Sequence, residues 1–355
     1  VARDFNGEFP RSVEALSELP GIGRSTAAAI ASISMNINAP ILDGNVKRVL
    51  TRFEAERQAL ALMDHPNIAK VFDAGATDIG RPYFVMDLAP GQPITAYCDA
   101  HRLSIRERIE VFLDLCAAIQ HAHQRGVIHR DIKPSNVLVV PLEGRAVPKV
   151  IDFGIAKATS SDFGGGTLFT EMGQVIGTPV YMSPEQASGS SDIDTRTDVY
   201  SLGVLLHELL TGETPFSTEE LREHVSGGDI ATFLAESIPS PMASRIDPNA
   251  AATAELGQRR RCTPTELRRS LRGDLENIVH CALAPERDRR YESAAAFARD
   301  LARLLGNRPI EAAPPSAFYR TVKFLRRHRV AAIASTAVFA ALVTGLAVAF
   351  QSLSA

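Results

Sequence analysis

Residues 127–140 read VIHRDIKPSNVLVV, and residues 150–154 read VIDFG. Val137 to Val140 and Lys149 to Ile151 are short β-branched runs, close enough in sequence to pair as a hairpin. That pairing sets two aspartates and an asparagine, Asp131, Asn136 and Asp152, on the loops that bracket one rigid element. A chain of 355 residues has room for the scaffold behind such a hairpin, since domains usually run to roughly 100 to 200 residues. Hydrophobic residues make up 45% and charged residues 22%, with 38 Lys+Arg against 41 Asp+Glu, which excludes a generally disordered or polybasic chain. Any nucleic-acid contact must then be local. The four cysteines, Cys98, Cys116, Cys262 and Cys281, never approach CxxC spacing. This disfavours a zinc ribbon, a four-cysteine iron–sulfur site or a disulfide framework, and a reducing cytosol fits.

Around the hairpin the periodicity changes from element to element. FEAERQALALMDHPNIAKVFDAG, from Phe53, predicts an amphipathic helix, a His-Pro break and a short strand, and RPYFVMDLAPG predicts a second strand and a turn. Ile105, Ile109, Phe112, Cys116 and Ile119 recur at helical spacing on one face. Val199 to Leu210 is apolar almost all round, as a buried central helix would be. Between Phe216 and Leu267 the stretches SGG, SIPSPM and DPNAAA predict an irregular insertion or loosely packed helices.

The C-terminal part is of another kind. Val330 to Phe350 carries no charge and is long enough to cross a hydrocarbon core of about 30 Å, so residues 330–350 are expected to form one transmembrane helix, with an Ala-rich core helix as the competing reading. Arg320, Lys323, Arg326, Arg327 and Arg329 precede it, which by the positive-inside bias puts residues 1–329 in the cytoplasm. Residues 307–329 are expected to be a basic juxtamembrane linker, and residues 351–355 a short tail. The polar start VARDFNGEFPRS lacks the apolar run of a signal peptide.

Residues 1–52 form a separate small unit. In SELPGIGRSTAAAIAS, Gly21 and Gly23 flank Ile22 ahead of an Ala-rich run, which predicts a tight turn opening a helix. Amides at such a turn can hold a DNA phosphate without reading sequence. LPGIG followed by RSTAAAI resembles the helix-hairpin-helix element of the DNA-glycosylase superfamily, and APILDGNVKRVLTR is similar to its adenine DNA glycosylase branch. The resemblance implies that Asp43 stabilises positive charge on the sugar, with Lys47 and Arg48 near the strand. Base excision also needs a general acid and a pocket for the flipped base. The family's catalytic glutamate and cluster cysteines have no counterpart in this sequence, so DNA is expected to be touched weakly, if at all.

Four strings recur together in the larger unit, residues 53–306: HRDIKPSN, DFG, GTPVYMSPE and DVYSLGVLLHELLTG. In this order and spacing they resemble the protein-kinase superfamily, in particular bacterial membrane-anchored Ser/Thr kinases. The fold implied is α+β, with a helical large lobe and a small lobe lacking its first strands. The resemblance further implies that ATP and Mg2+ are cofactors and that protein Ser/Thr hydroxyls are substrates. Phosphoryl transfer needs positioning and charge neutralisation above all. By resemblance Asp131 would orient the hydroxyl and accept its proton, Lys133 would contact the transferred phosphate, and Asn136 and Asp152 would hold magnesium. Oxygen ligands suit that hard cation. His129 and Phe153 would align these loops, Gly154 and Asp198 would be structural, and Glu185 would pair with Arg290. Met86, Asp87 and Ala89 match the hinge that binds adenine. Arg130 would meet a phosphate in the loop from Lys157 to Thr178, where Thr167 and Thr170 are candidate phosphosites and Thr178 is structural.

Glu56 matches the glutamate that pairs with a lysine of the small lobe, yet the sequence before it contains neither a Gly-rich GxGxxG loop nor a VAIK-like lysine. GIGRS runs straight into a helix, and Lys47 belongs to the glycosylase-like segment. Kinase activity is therefore expected to be impaired, with a membrane-tethered pseudokinase scaffold, and less favourably a DNA-repair glycosylase, as alternatives.

Overall fold

The computed structural model describes residues 63–76, 82–153, 179–190, 192–225, 230–313 and 316–327, with isolated positions at 342, 344 and 345. The helix-hairpin-helix unit, the Glu56 helix, the loop holding Thr167, Thr170 and Thr178, and all but three residues of the run 330–350 lie outside the described residues. Among the described residues no helix is long and apolar enough to cross a membrane.

Two small antiparallel sheets flank the segment 87–91. β1 (Val71–Ala76) pairs with β2 (Pro82–Met86), with Val71 opposite Met86 and a register shift between Val71 and Asp73. Phe72 on β1 and Val85 on β2 remain 60% and 47% exposed, whereas Val71 is buried and Met86 packs against the core. β3 (Gln92–Pro93), β4 (Val137–Leu142) and β5 (Arg145–Val150) form the second sheet, in that order. The two are stitched together by backbone: Ala69 N donates to Val150 O at 2.9 Å and Val150 N to Asn67 O at 2.8 Å.

The β4–β5 hairpin is longer than the two β-branched runs alone predict. Glu143 and Gly144 both take positive φ, 50° and 78°, which gives a two-residue turn matched to strand twist and lets pairing run to its edge. Val137, Val139 and Val150 fill the buried side. Gly91 passes so close to β4 that a Cβ there would lie 2.6 Å from Val139 O.

Helices make up the large lobe. After α1 (Ile94–Ala100), α2 (Ile105–His123) starts at a capping box in which Ser104 and Glu107 satisfy each other's free amides. Its Ile109, Phe112, Cys116 and Ile119 are buried, and Phe112 meets Phe297 edge-on at 5.6 Å. The short α3 (Pro184–Ala187) precedes α4 (Arg196–Thr211), which is buried along nearly its whole length and ends at Gly212 in the left-handed conformation. The stretch after Phe216 is helical but broken: α5 (Thr218–Val225), α6 (Ile230–Glu236), α7 (Ala251–Arg259) and α8 (Pro264–Leu271). α9 (Asp274–Ala282) and α10 (Ala294–Leu305) complete the core.

Two buried arginines fasten the broken stretch to the core. Arg108 of α2 donates to Leu209 O, Leu103 O and Cys98 O and across to Arg259 O of α7, and Arg260 donates to Leu210 O and Leu209 O. Both cations thus sit on the otherwise unpaired carbonyls at the C-terminus of α4, where the helix dipole is negative.

Residues expected to be a linker are held against the domain. Buried Asp300 accepts from the amides of Glu311 and Ala312 at 2.8 to 2.9 Å and from Tyr291 Oη at 3.0 Å. A buried carboxylate needs several donors, and the chain after α10 supplies two of them. It then forms α11 (Ala317–Arg327), whose Tyr319 Oη donates to Asp274 at 3.1 Å and whose buried Lys323 pairs with the same carboxylate.

His207 on α4 gives the fold a pH dependence. Burial pushes it down to about 4, helped by Arg245 and His280 and opposed by its Nδ1 contact with Glu213 O at 2.7 Å, while its buried Nε2 has no acceptor among the described residues. A histidine that stays neutral when folded contributes stability above its unfolded value near 6.5, and this is lost as pH falls toward the folded value. Urea unfolding of the full chain should therefore show stability decreasing between pH 6.5 and 4, by about 3 kcal/mol from this group. His207→Gln should flatten that slope.

Candidate active site

Asp198, at the N-terminal end of α4, is completely buried beneath the loop 127–136. Its Oδ2 accepts the His129 amide at 2.8 Å and faces His123 Nε2 at 2.7 Å, while Oδ1 accepts the Arg130 amide at 2.8 Å. Burial opposes its charge, but the His123 contact and the backbone donors prevail and hold the carboxyl below the usual range. Arg130 has φ of 63°, a strained setting for a residue with a Cβ, and its bonded amide stabilises that turn. Gln186 of α3 donates to Arg130 O at 2.8 Å from the other side.

The bent loop delivers the polar cluster. Lys133 Nζ donates to Asp131 Oδ2 at 2.8 Å, both side chains being about one-fifth exposed. Asn136 uses its amide nitrogen twice, toward Asp131 O at 2.8 Å and Asp131 Oδ2 at 3.0 Å. Its Oδ1 accepts from Ser135 Oγ at 3.3 Å, so the amide orientation follows from the network. Asn136 O accepts from Ile151 N at 2.9 Å, which ties the loop entering β4 to the loop leaving β5. There Asp152 is exposed, with φ of 52°.

His129 joins the two loops. Its Nε2 donates to Ile151 O at 3.2 Å, its Nδ1 accepts from the Asp131 amide at 3.3 Å, and its ring lies 4.6 Å from that of Phe153. Burial holds its pKa below the usual histidine range, against the pull of Asp198 and Asp131. The neutral ring is the form these two bonds require.

Glu185 and Arg290 form a buried bidentate pair, at 2.7 and 2.9 Å. Thr197 Oγ1 donates to Glu185 at 2.6 Å, and Arg290 also donates to Ala284 O, Pro285 O and Arg196 O, so its five hydrogens all have acceptors. Burial works against the Glu185 charge, yet Arg290 and Thr197 leave its carboxyl below the usual range. On the opposite flank, Asp87 N donates to Lys70 O at 2.9 Å and Gly91 N to Ala89 O at 2.8 Å. Met86 packs against the core, and Leu88 is 88% exposed.

Asp131, Lys133, Asn136, His129, Arg130 and Asp198 are thus directly bonded into one network, with Asp152 and Phe153 on the adjoining loop. Glu56, Gly154, Thr167, Thr170, Thr178, Gly21, Gly23 and Asp43 lie outside the described residues. Two network members were missed in the sequence. His123 continues the buried series Cys116, Ile119 by one more helical step and was legible there; Gln186 carried no such signal.

The family profile for the protein kinase domain matches residues 41–296, and that for the helix-hairpin-helix motif matches residues 4–33. Serine/threonine-protein kinase Pkn1 of Myxococcus xanthus is 33% identical over 78% of this chain and 36% of its own length. Serine/threonine-protein kinase PknB of Mycobacterium tuberculosis is 33% identical over 84% of this chain and 44% of its own. Serine/threonine-protein kinase pkn3 of Myxococcus xanthus is 36% identical over 66% and 43%. The chain therefore spans less than half the length of these relatives. The kinase match begins at residue 41, before the composition shift at Phe53, so residues 41–52 fall both in that match and in the glycosylase-like string.

Removing one side of the Glu185 pair should be severe. Arg290→Ala leaves a buried carboxylate without its counter-charge, and chemical denaturation should show a loss of about 3 to 5 kcal/mol. Arg290→Lys should recover only part, because an ammonium cannot reproduce the fork.

Proposed function

This chain belongs to the Ser/Thr protein kinase family, and on that premise we propose that it transfers the γ-phosphate of ATP to Ser or Thr hydroxyls of proteins. The single observation that carries the proposal is the bonding of Asp131, Lys133 and Asn136 into one cluster. The donor set fits Mg·ATP. Both amide hydrogens of Asn136 are directed to Asp131, and its oxygen, which accepts from Ser135 Oγ with one lone pair, keeps the other for a cation, while Asp152 adds a carboxylate from the neighbouring loop.

When bound, Mg·ATP supplies the phosphoryl group and the cation that neutralises its spreading charge. The chain's own residues do the positioning. Asp131 Oδ2, held by Lys133 and Asn136, orients the incoming hydroxyl and takes its proton. Lys133 offsets charge on the transferred group. Asn136 and Asp152 hold the cation, and the backbone at Asp87 and Ala89 receives the adenine. Glu185 and Arg290 fix the segment that receives the protein substrate.

Two further statements belong to the same proposal. Scaffolding by the large lobe, with weak turnover, is the second reading, favoured by residues 41–55, in which Lys47 sits in the glycosylase-like string and not in a VAIK-like one. The uncharged run 330–350 anchors the chain in a membrane, with the kinase domain on the cytoplasmic side, as the preceding arginines indicate. For residues 1–52, LPGIGRSTAAAI and APILDGNVKRVLTR support descent from an adenine DNA glycosylase.

Equilibrium binding of a fluorescent ATP analogue and transfer of labelled phosphate to a generic protein substrate separate the roles. Asp152→Ala should abolish the magnesium-dependent part of nucleotide binding; binding that is unchanged would contradict the proposal. Asp131→Asn should leave binding intact and lower transfer by roughly 100-fold or more. Partner capture that survives in Asp131→Asn, with no transfer by the unaltered chain, would favour the scaffold.

A further inference from the structure

α11 is held in one rotation about its own axis. Tyr319 and Lys323, four residues apart, both bond to Asp274 at the start of α9, and Tyr319 Oη also accepts the Ile310 amide at 3.2 Å. The face that carries them is therefore the inner one. Phe318 and Phe324 lie outside it, 80% and 55% exposed, although both are large aromatic side chains. Arg320 and Arg327 are exposed with them, and the Arg327 guanidinium lies 5.7 Å from the Phe324 ring centroid. At about 100° per residue Phe318 and Phe324 flank the outward direction of this eleven-residue helix, and Arg320 and Arg327 follow along the edge beside Phe324.

The sequence on either side states what that face meets. After Glu311 the chain contains no Asp or Glu, while Arg320, Lys323, Arg326, Arg327 and Arg329 fall within ten residues. Only His328 and Arg329 separate the end of α11 from the uncharged run that starts at Val330. A helix with exposed apolar rings and arginines along one edge, next to such a run, has the composition of an interfacial helix. Anionic lipid attracts the cations, and the aromatic rings enter the headgroup boundary. A protein partner would need compensating acidic groups; a bilayer of anionic phospholipid supplies them everywhere.

We infer that α11 lies on the surface of an anionic phospholipid bilayer, with Phe318 and Phe324 inserted and Arg320 and Arg327 on the headgroups. The inference rests on the proposed anchoring by residues 330–350. It adds that the lobe itself is docked. Because Asp274 grips α11 from one side and Asp300 grips residues 311 and 312 from another, the large lobe is fixed to the membrane instead of swinging on a free tether.

The sequence contains no tryptophan, so one introduced residue reports alone. The full chain carrying Phe318→Trp or Phe324→Trp is reconstituted in phosphatidylcholine vesicles with and without phosphatidylglycerol, some containing lipids brominated along the tail. Phe72→Trp, on the exposed β1 ribbon, serves as the unimmersed reference. The expected result is blue-shifted emission and bromine quenching at positions 318 and 324 but not 72. Quenching should weaken by about twofold or more without phosphatidylglycerol or in Arg320→Glu/Arg327→Glu. Quenching at 318 and 324 no greater than at 72 overturns the inference. A blue shift that grows with protein concentration in the absence of lipid also overturns it, since the face would then belong to a second copy.

Alkaline carbonate extraction of the same vesicles tests the anchor separately. Chains that resist extraction without quenching retain the anchor and refute the docked helix. Chains that are extracted without quenching refute both. Quenching in chains that carbonate removes supports the helix and refutes the anchor.

Discussion

A carboxylate at the head of the central helix accepts hydrogen bonds from two consecutive amides of the loop above it, and the polar cluster depends on that arrangement. Asp198 turns His129 and Arg130 so that the next residues, Asp131 and Lys133, face each other at 2.8 Å. The strain of Arg130 at φ of 63° is stored there and offset by the same bonds. Burial alone would raise the Asp198 carboxyl; the His123 contact and the backbone donors keep it charged. A neutral carboxyl would lose much of its hold on both amides, so the electrostatics of the buried site and the shape of the exposed one are linked.

The rest of the large lobe keeps α4 where Asp198 can act. Arg108 and Arg260 bind the carbonyls at the far end of the helix, and Arg290 locks Glu185 against Thr197 one residue before Asp198. In each case a buried guanidinium spends its hydrogens on acceptors that burial would leave unpaired. Cationic side chains thus organise a core whose apolar packing alone would not fix the rotation of α4.

Much of this was legible because it is periodic or local. The apolar face of α2, the all-round apolar α4 and the β4–β5 hairpin follow from spacing, while the motif strings hold Asp131, Lys133, Asn136, Glu185 and Asp198, and Arg290 enters only as the partner that the resemblance implies for Glu185. Long-range polar bonds were not legible. Nothing in QRRRC distinguishes Arg260, buried among carbonyls, from Arg261 at the surface. Likewise the Pro-rich stretch from Asn307 has the composition of a linker, yet its backbone amides are what buried Asp300 needs. Composition reports side chains, whereas that clamp is made by main chain.

The central claim is that charge on Asp198 shapes the loop bearing Asp131. Hydrogen exchange of the amides of His129 and Arg130 tests it directly, in the unaltered chain and in Asp198→Asn, with the amides of Leu202 to Leu210 as an internal reference for intact α4. The account predicts slow exchange in the unaltered chain, and exchange in the variant that approaches an exposed loop while the reference amides stay protected. Equal protection of His129 and Arg130 in both proteins would contradict it.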